Sequence, residues 1–297
     1  HRKSKYHTAF SAIFRIILRI CANLAELSKK YAIFLLFKSK NFSVTIVYGG
    51  VFVKKLLIII CTAAVIMLHS MCGLTANADN SGNYTYIEVG GRVIVTGYTG
   101  SPEFLEIPSD INGSPVTDIG ERAFSSCDTL KRIILPDTLR KIGNYSFYAC
   151  YSLEIASLPQ SLESLGEGSF CGCTRLSQVN IPENIRSLPD SCFRACTNLP
   201  EINLKNGISA IGDFCFSGCT NLSYVSFGDK LSEIGERAFY MCSSLENLSV
   251  PPSVVKVGKE AFGYIPSNFG AAVKGGFVIY GQLNSTANEY ADNNGIR

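Results

Sequence analysis

Histidine and tryptophan are the scarcest residues of this chain. The 297 residues include three histidines (His1, His7 and His69) and no tryptophan. Because residues 70–297 contain no imidazole, that region cannot form Ser-His or Cys-His nucleophile pairs or bind a metal through histidine. The glycine repeated in its coils belongs to a turn, and no glycine-rich phosphate-binding loop is found in the sequence. An enzyme built from these residues would have to use a thiol such as Cys171 or a pair of carboxylates.

The chain also lacks a basic excess once its N-terminal part is set aside. The whole chain has 27 Lys and Arg against 24 Asp and Glu, but residues 1–78 hold 11 of the basic residues and one of the acidic ones. Residues 79–297 therefore have 16 basic and 23 acidic residues, a net charge of −7. This balance argues against nucleic acid and anionic lipid as partners.

The N-terminal part contains a pattern typical of export. Two lysines precede the uncharged run 56–68, and Ala-Asn-Ala follows at 76–78, which is the order of parts in a secretory signal peptide. We predict a signal peptide over residues 53–78, cleaved after Ala78, and we interpret residues 1–52 as a non-native or upstream extension. An uncleaved anchor is the alternative, which the polar residues after the run disfavour. The protein is thus predicted to be secreted or at the cell surface, without membrane insertion after cleavage.

Six consecutive segments of 23 residues organise the chain from residue 119 to residue 256, without insertion or deletion. Repetition of this length is typical of a solenoid, because one such unit cannot bury its apolar face and must stack on its neighbours. The segments and a seventh open at Ile119, Ile142, Leu165, Leu188, Ile211, Ile234 and Val257.

Six ladders of apolar residues recur at this spacing and are predicted to fill one continuous core. The first three ladders are Phe124, Phe147, Phe170, Phe193, Phe216, Phe239 and Phe262; Cys127, Cys150, Cys173, Cys196, Cys219 and Cys242; and Leu130, Leu153, Leu176, Leu199, Leu222 and Leu245. The aliphatic ladders are Ile133, Ala156, Val179, Ile202, Val225 and Leu248; Leu135, Leu158, Ile181, Leu204, Phe227 and Val250; and Leu139, Leu162, Ile185, Ile208, Leu231 and Val254.

Each repeat predicts two kinds of local structure. Alternation at Ile133-Ile134-Leu135 and its copies predicts a short strand, since successive strand side chains point to opposite faces. Apolar residues three and four apart in the preceding stretch predict a helical or 3₁₀ turn. The fold class predicted is a repeat solenoid over residues 119–263, with one parallel strand per coil. Pro189, which replaces the glycine of the fourth opening, is expected to change a local turn without disturbing the register.

The residues themselves resemble a known family. The run IGERAFYMCSSLENLSVP, from Ile234 to Pro251, is similar to the leucine-rich repeats of BspA-like bacterial surface proteins. The resemblance covers about residues 104–262. It implies a leucine-rich-repeat horseshoe or gently curved solenoid on an exported bacterial protein, and an adhesin-like role by analogy with some members.

The segment before the repeats predicts an N-terminal cap over residues 79–118. Residues 84–98 alternate around Gly90-Gly91 and predict a β-hairpin. An irregular first repeat follows it. A solenoid needs such a cover over its first coil.

The segment after the repeats, residues 264–297, predicts a C-terminal cap of mixed α and β structure. A short helix is expected over 285–294. Thr286 and Glu289 would form its capping pair, and Gly295 would end it.

Nine cysteines follow residue 78, and six of them belong to the cysteine ladder. Cys192 and Cys215 precede ladder cysteines by four residues, but they occupy a recurrent position that holds Ala or Ser in the other coils. The repeat therefore explains their spacing better than a metal site does. We expect free, buried thiols that act as small apolar side chains, with no metal and no cofactor. Cys171, outside the ladder, is expected to be the most exposed.

The surface is then the part of the repeats left for function. The strand residues on either side of the buried position vary between coils, and a rigid sheet with variable side chains is a binding surface that needs no active site. The convex turns are the alternative surface. The candidate ligand-binding residues on the predicted concave face are Arg132, Ile134, Ile155, Gln178, Asn180, Glu201, Asn203, Tyr224, Ser226 and Asn247.

The function predicted from the sequence is non-catalytic, adhesin-like recognition of an extracellular protein or glycan, including molecules of a host. One alternative is a structural spacer module of a longer bacterial surface protein, which predicts no specific ligand. The other is an enzyme using Cys171 or a carboxylate pair, which the regularity of the repeats disfavours.

Overall fold

A computed structural model of the protein describes residues 35–38, 43–46, 75–78, 83–204, 207–268 and 270–297. Backbone contacts divide the chain into two units, residues 1–72 and 73–297. In the first unit, strands β1 (Leu35–Lys38) and β2 (Ser43–Ile46) pair antiparallel. The rest of the predicted extension lies outside the described residues, as does the predicted signal peptide except for β3 (Thr75–Ala78).

The second unit contains twenty further strands and one helix among the described residues. They are β4 (Tyr84–Val89), β5 (Arg92–Tyr98), β6 (Phe104–Glu106), β7 (Asp110–Ile111), β8 (Ser114–Ile119), β9 (Arg132–Ile134), β10 (Lys141–Ile142), β11 (Ile155–Ser157), β12 (Ser164–Leu165), β13 (Gln178–Val179), β14 (Ser187–Leu188), β15 (Glu201–Leu204), β16 (Ala210–Ile211), β17 (Tyr224–Phe227), β18 (Glu233–Ile234), β19 (Asn247–Ser249), β20 (Lys256–Val257), β21 (Tyr264–Ser267), β22 (Gly270–Val273), β23 (Val278–Tyr280) and α1 (Thr286–Asn294).

The predicted solenoid of 23-residue coils is confirmed, but each coil contributes two short parallel strands and not one. The first series consists of β6, β9, β11, β13, β15, β17, β19 and β23. The second series consists of β8, β10, β12, β14, β16, β18 and β20. Pairing is in register with the repeat, so that Ile155 pairs with Arg132 on one side and Gln178 on the other.

The stretch with apolar residues three and four apart forms consecutive turns, and the predicted helical or 3₁₀ turn is absent from the described coils. In the second coil, Tyr145 and Ala149 adopt left-handed backbone conformations (φ 53° and 56°) that interrupt any helical run. The N–H of Phe147 donates to Ser169 of the next coil (2.8 Å), whereas that of Cys150 donates back to Phe147 (3.3 Å). Half of the donors therefore link coils, which a helix would not allow.

The core is a column of stacked aromatic rings surrounded by the aliphatic ladders. The rings from Phe124 to Phe239 are buried and follow one another at 5.2–5.5 Å, with interplanar angles of 4–12°. At the C-terminal end Phe262 contacts Tyr290 of α1 instead, at 4.5 Å. The predicted ladders thus form one continuous apolar core. Burial of apolar surface in such a core is the dominant favourable contribution to folding.

The N-terminal hairpin lies at the predicted residues. Strands β4 and β5 pair antiparallel, β5 pairs parallel with β8, and β3 pairs antiparallel with β4. The hairpin is thereby joined to the second strand series.

The C-terminal segment contains an antiparallel pair, β21 with β22, and β23 pairs parallel with β19. The N-cap of helix α1 is Ser285, one residue before the predicted Thr286. The Oγ of Ser285 accepts a hydrogen bond from the N–H of Asn288 at 3.4 Å. The expected Thr286…Glu289 capping pair is therefore wrong. Gly295 ends the helix as predicted, with φ 63°.

Both strand series are interrupted at the same place, between the third and fourth coils. Strand β13 pairs with β11 but not with β15, and β12 pairs with β10 but not with β14. Two prolines occupy donor positions in this interface. Pro189 occupies the position of Gly212 in the next coil, where the backbone N–H donates to the carbonyl of Leu188 in the preceding coil at 2.8 Å. Pro200 occupies the position of Ser223, whose backbone N–H likewise donates to the preceding coil at 2.9 Å. A proline has no N–H to donate, so these two backbone hydrogen bonds between coils are missing here. The first series is interrupted a second time, between β17 and β19, but there the second series stays paired through β18 and β20.

Candidate functional site

The predicted site residues lie in two rows on the outward side of the first strand series, which we call the front face. Arg132, Ile155 and Gln178 pair with one another in register on adjacent parallel strands. Glu201 pairs in the same way with Tyr224. The residues between the rows are ladder members, and all of them are buried except the half-exposed Val179. Most of the predicted side chains are exposed: Arg132, Ile134, Gln178, Asn180, Glu201, Asn203, Tyr224 and Asn247.

Two predicted residues are less accessible than expected. Ile155 is half-buried. Ser226 is 8% exposed, because its short side chain donates a hydrogen bond to Oδ1 of Asn203 at 3.1 Å. Ser226 therefore orients the Asn203 amide and is not itself a contact surface.

The front face also carries two exposed aromatic residues that the 23-residue period does not predict. Phe104 pairs in register with Arg132, and Tyr280 pairs with Ser249. Their side chains are 51% and 58% exposed. Both lie outside the strict 23-residue period, so the ladders gave no signal for them. Alternation within β6 and β23 is the one sequence feature that indicated their orientation.

The front face carries two depressions. The larger, about 410 Å³, lies at the interruption between β13 and β15 and is lined by side chains that include Gln178, Asn180 and Glu201. The smaller, about 280 Å³, lies beside Tyr224 and Asn247. Volumes of this size hold small ligands or a segment of a larger one.

The turns on another side of the coils carry a set of arginine and aromatic residues that contact one another. Arg122 lies over the ring of Tyr145 at 5.2 Å, and Arg237 lies over Tyr240 at 5.4 Å. Arg237 also pairs with Glu260 at 2.6 Å. The Arg122–Tyr145 and Arg237–Glu260 contacts link neighbouring coils, whereas Arg237 and Tyr240 belong to the same coil. The turns therefore carry contacts that help to hold neighbouring coils together.

Among the described residues, no group of three His, Cys, Asp or Glu is arranged to hold a metal ion. Within the same residues, no helix is long and apolar enough to cross a membrane.

Comparison of the sequence with models of known protein families decides the family. The model described as the BspA type leucine rich repeat region matches residues 102–204 and 175–267, with six copies of the repeat. The matched residues make up more than half of the chain. The chain belongs to the BspA-type leucine-rich repeat family. No curated protein sequence matches it.

Solved structures of bacterial leucine-rich repeat proteins share the fold. A leucine rich cell surface protein from Faecalibacterium prausnitzii has 24% identity and a TM-score of 0.57, over 67% of this chain and 60% of its own. A leucine-rich repeat protein from Eubacterium ventriosum has 24% identity and a TM-score of 0.53, over 65% of this chain and 55% of its own. This BspA-type chain thus spans somewhat more than half the length of either protein.

The cysteine ladder of these BspA-type coils is part of the coil-to-coil bonding. The Sγ of Cys150 donates to the carbonyl of Phe124 at 3.0 Å, and Cys196 donates to Phe170 at 3.3 Å. All nine described cysteines are free. Burial raises the pKa of the Cys150 thiol to about 12, so it stays protonated at neutral pH and keeps this hydrogen bond.

Cys171, the residue considered for nucleophilic catalysis, is half-exposed. Its burial raises the pKa of the thiol, and the nearby Arg194 opposes this shift without reversing it. A catalytic cysteine needs a lowered pKa or an adjacent base to supply the thiolate. Cys171 therefore lacks the electrostatic environment of an activated nucleophile.

Proposed function

We propose that this protein is an exported, non-catalytic recognition module that binds an extracellular macromolecule through the front face, in an adhesin-like manner. The observation that carries the proposal is the contrast between the two sets of strand residues. Ile133, Ile202 and Leu248 are buried and alike, whereas their neighbours Arg132 and Asn247 are exposed and differ from coil to coil. Repeat proteins use such rigid surfaces with variable side chains for binding.

The rigidity of the scaffold supports binding. The front face is held from behind by the aromatic column and the ladders, so its backbone loses little further freedom when a ligand binds. Its exposed aromatics, Phe104, Tyr224 and Tyr280, are of the kind that dominates binding energy in protein interfaces. The half-exposed Cys171, with its raised pKa, does not favour a catalytic alternative.

Export is the second part of the proposal. It rests on the signal-peptide pattern over 53–78 and agrees with the cell-surface description of the similar Faecalibacterium prausnitzii protein. We expect the exported protein to begin at Asp79, because cleavage follows Ala78. N-terminal sequencing of the secreted product from cells expressing the full chain checks this, and recovery of an uncleaved chain in the membrane would contradict it.

Binding through the front face is tested with the full chain on an array of extracellular proteins and glycans. A variant combining Gln178→Ala, Asn203→Ala and Tyr224→Ala removes three exposed front-face side chains. We expect saturable binding by the parent chain and a loss of at least about tenfold in affinity for the variant, since each side chain contributes contacts at the centre of the face.

A matched control combines Lys141→Ala, Glu233→Ala and Lys256→Ala, which are exposed residues of the second strand series. The control is expected to bind like the parent. Equal loss in both variants, or binding that survives the front-face variant, would move the site to the turns or caps. No binding by the parent would favour a structural spacer.

A further inference from the structure

The front face is split where the two prolines remove donors between the third and fourth coils. The turn side of the same interface remains bonded: Phe170 N–H donates to Cys192 (2.9 Å) and Gly172 N–H to Arg194 (2.7 Å). The two coils are therefore joined along the turns and separated along both strand series. The separation produces the larger depression, of about 410 Å³, on the front face. We call this depression the cleft.

The walls of the cleft are polar and face each other. Gln178 and Asn180 come from the third coil, and Glu201 and Asn203 from the fourth. Among the described residues, the side chains of Gln178, Asn180 and Glu201 form no hydrogen bond or ion pair. Asn203 is held by Ser226 from the neighbouring strand. The cleft thus presents hydrogen-bonding groups of which one is already oriented.

The floor of the cleft differs from the equivalent positions in other coils. Val179 is half-exposed, whereas its ladder neighbours Ala156 and Ile202 are each 1% exposed. Ile181 and Pro200 are the other apolar residues of the lining. A ligand in the cleft therefore meets a small apolar patch between amide walls.

We propose that the cleft binds a neutral oligosaccharide, an inference that rests on the proposed function of the front face. An amide both donates and accepts hydrogen bonds and a carboxylate accepts them, which matches the donors and acceptors of sugar hydroxyl groups. Among the described residues of the lining there is no Lys or Arg, and the carboxylate of Glu201 would repel a sialylated or sulfated glycan. A peptide would need deeper apolar or aromatic pockets for its anchoring side chains than Val179, Ile181 and Pro200 provide.

Tyr224 extends the site beyond the cleft. It pairs in register with Glu201 across β15 and β17 and is 57% exposed. An exposed aromatic ring next to polar groups offers its face to the apolar C–H side of a second sugar ring. The cleft and Tyr224 together therefore fit a ligand of two or more sugar residues.

The test uses the full chain on an array of neutral oligosaccharides, of their sialylated and sulfated counterparts, and of peptides from extracellular proteins. The cleft variant combines Gln178→Ala and Asn180→Ala. Its matched control combines Lys141→Ala and Glu233→Ala, which are two exposed polar residues of the second strand series, outside the front face. We expect neutral oligosaccharides to bind, the cleft variant to lose at least about tenfold in affinity, and the control to bind unchanged. Circular dichroism melting of each variant confirms that it is folded.

Three results would overturn the inference, and they separate it from the proposed function. Preference for sialylated or sulfated glycans, or binding of peptides alone through the front face, would refute the neutral sugar while leaving recognition by this face intact. Neutral sugars bound equally by the cleft variant and the parent would refute the position. No binding to any array would refute both the inference and the proposed function.

Discussion

Replacement of Phe170 by alanine is expected to lower the free energy of unfolding by about 3–5 kcal/mol, the range for removing a buried phenylalanine. Phe170 is 0% exposed and lies between Phe147 at 5.2 Å and Phe193 at 5.5 Å. The variant loses the ring's burial and both stacking contacts. The neighbouring rings belong to separate coils whose spacing is fixed by backbone hydrogen bonds, so they cannot move together to fill the cavity.

The position of Phe170 adds a second expected effect. It lies in the third coil, next to the interface at which both strand series are interrupted. In a solenoid each coil is stabilised by its nearest neighbours. The Phe170–Phe193 contact crosses an interface that strand pairing does not reinforce. We expect the Phe170→Ala variant to melt in two steps, one for the coils on each side.

Calorimetry and urea unfolding measure both effects. Tyr151→Ala serves as the control, because this aromatic side chain of the neighbouring coil is 52% exposed and its removal should change stability by less than about 0.5 kcal/mol. A single transition at the parent midpoint for Phe170→Ala would show that the aromatic column contributes little to stability.

The sequence predicted the core better than the local backbone. A period of 23 residues without insertion identifies every ladder residue, because a side chain repeated at each coil must lie on its own copies. The second strand of each coil was missed since it is two residues long, as in Lys141–Ile142, and shows no alternation. A spacing of three and four between apolar residues is compatible with a helix and with a series of consecutive turns. Left-handed residues such as Tyr145 decide between them, and glycine occupies that position of the repeat in the third coil alone, as Gly168.

The front face was predicted from alternation within the strands, but the cleft was not. Pro189 was expected to alter only a local turn, and Pro200 lies at a position that no ladder marks. Their effect depends on both prolines removing donors from one interface, which requires knowledge of which N–H groups link coils. That pairing belongs to the folded backbone and leaves no pattern in the side chains.

Replacement of Gly235 by alanine is expected to lower the free energy of unfolding by about 1–3 kcal/mol, as overpacking does. A Cβ at Gly235 would lie 2.6 Å from the backbone N of Asp213 and 2.6 Å from the carbonyl carbon of Gly212. Both atoms belong to backbone, so neither can rotate away. The coils would have to separate, which weakens the 2.8 Å hydrogen bond from Gly235 N–H to Ile211.

Gly275→Ala is the matched control, because nothing lies within 4 Å of a Cβ there and no left-handed φ is required. Urea unfolding should find the control as stable as the parent or slightly more stable, since alanine restricts the unfolded chain. If Gly235→Ala were equally harmless, coils could separate at little cost. Both strand series are interrupted at Pro189, the one coil opening that lacks the glycine. If coils could separate at little cost, the close approach of the coils at the glycine would not explain this interruption.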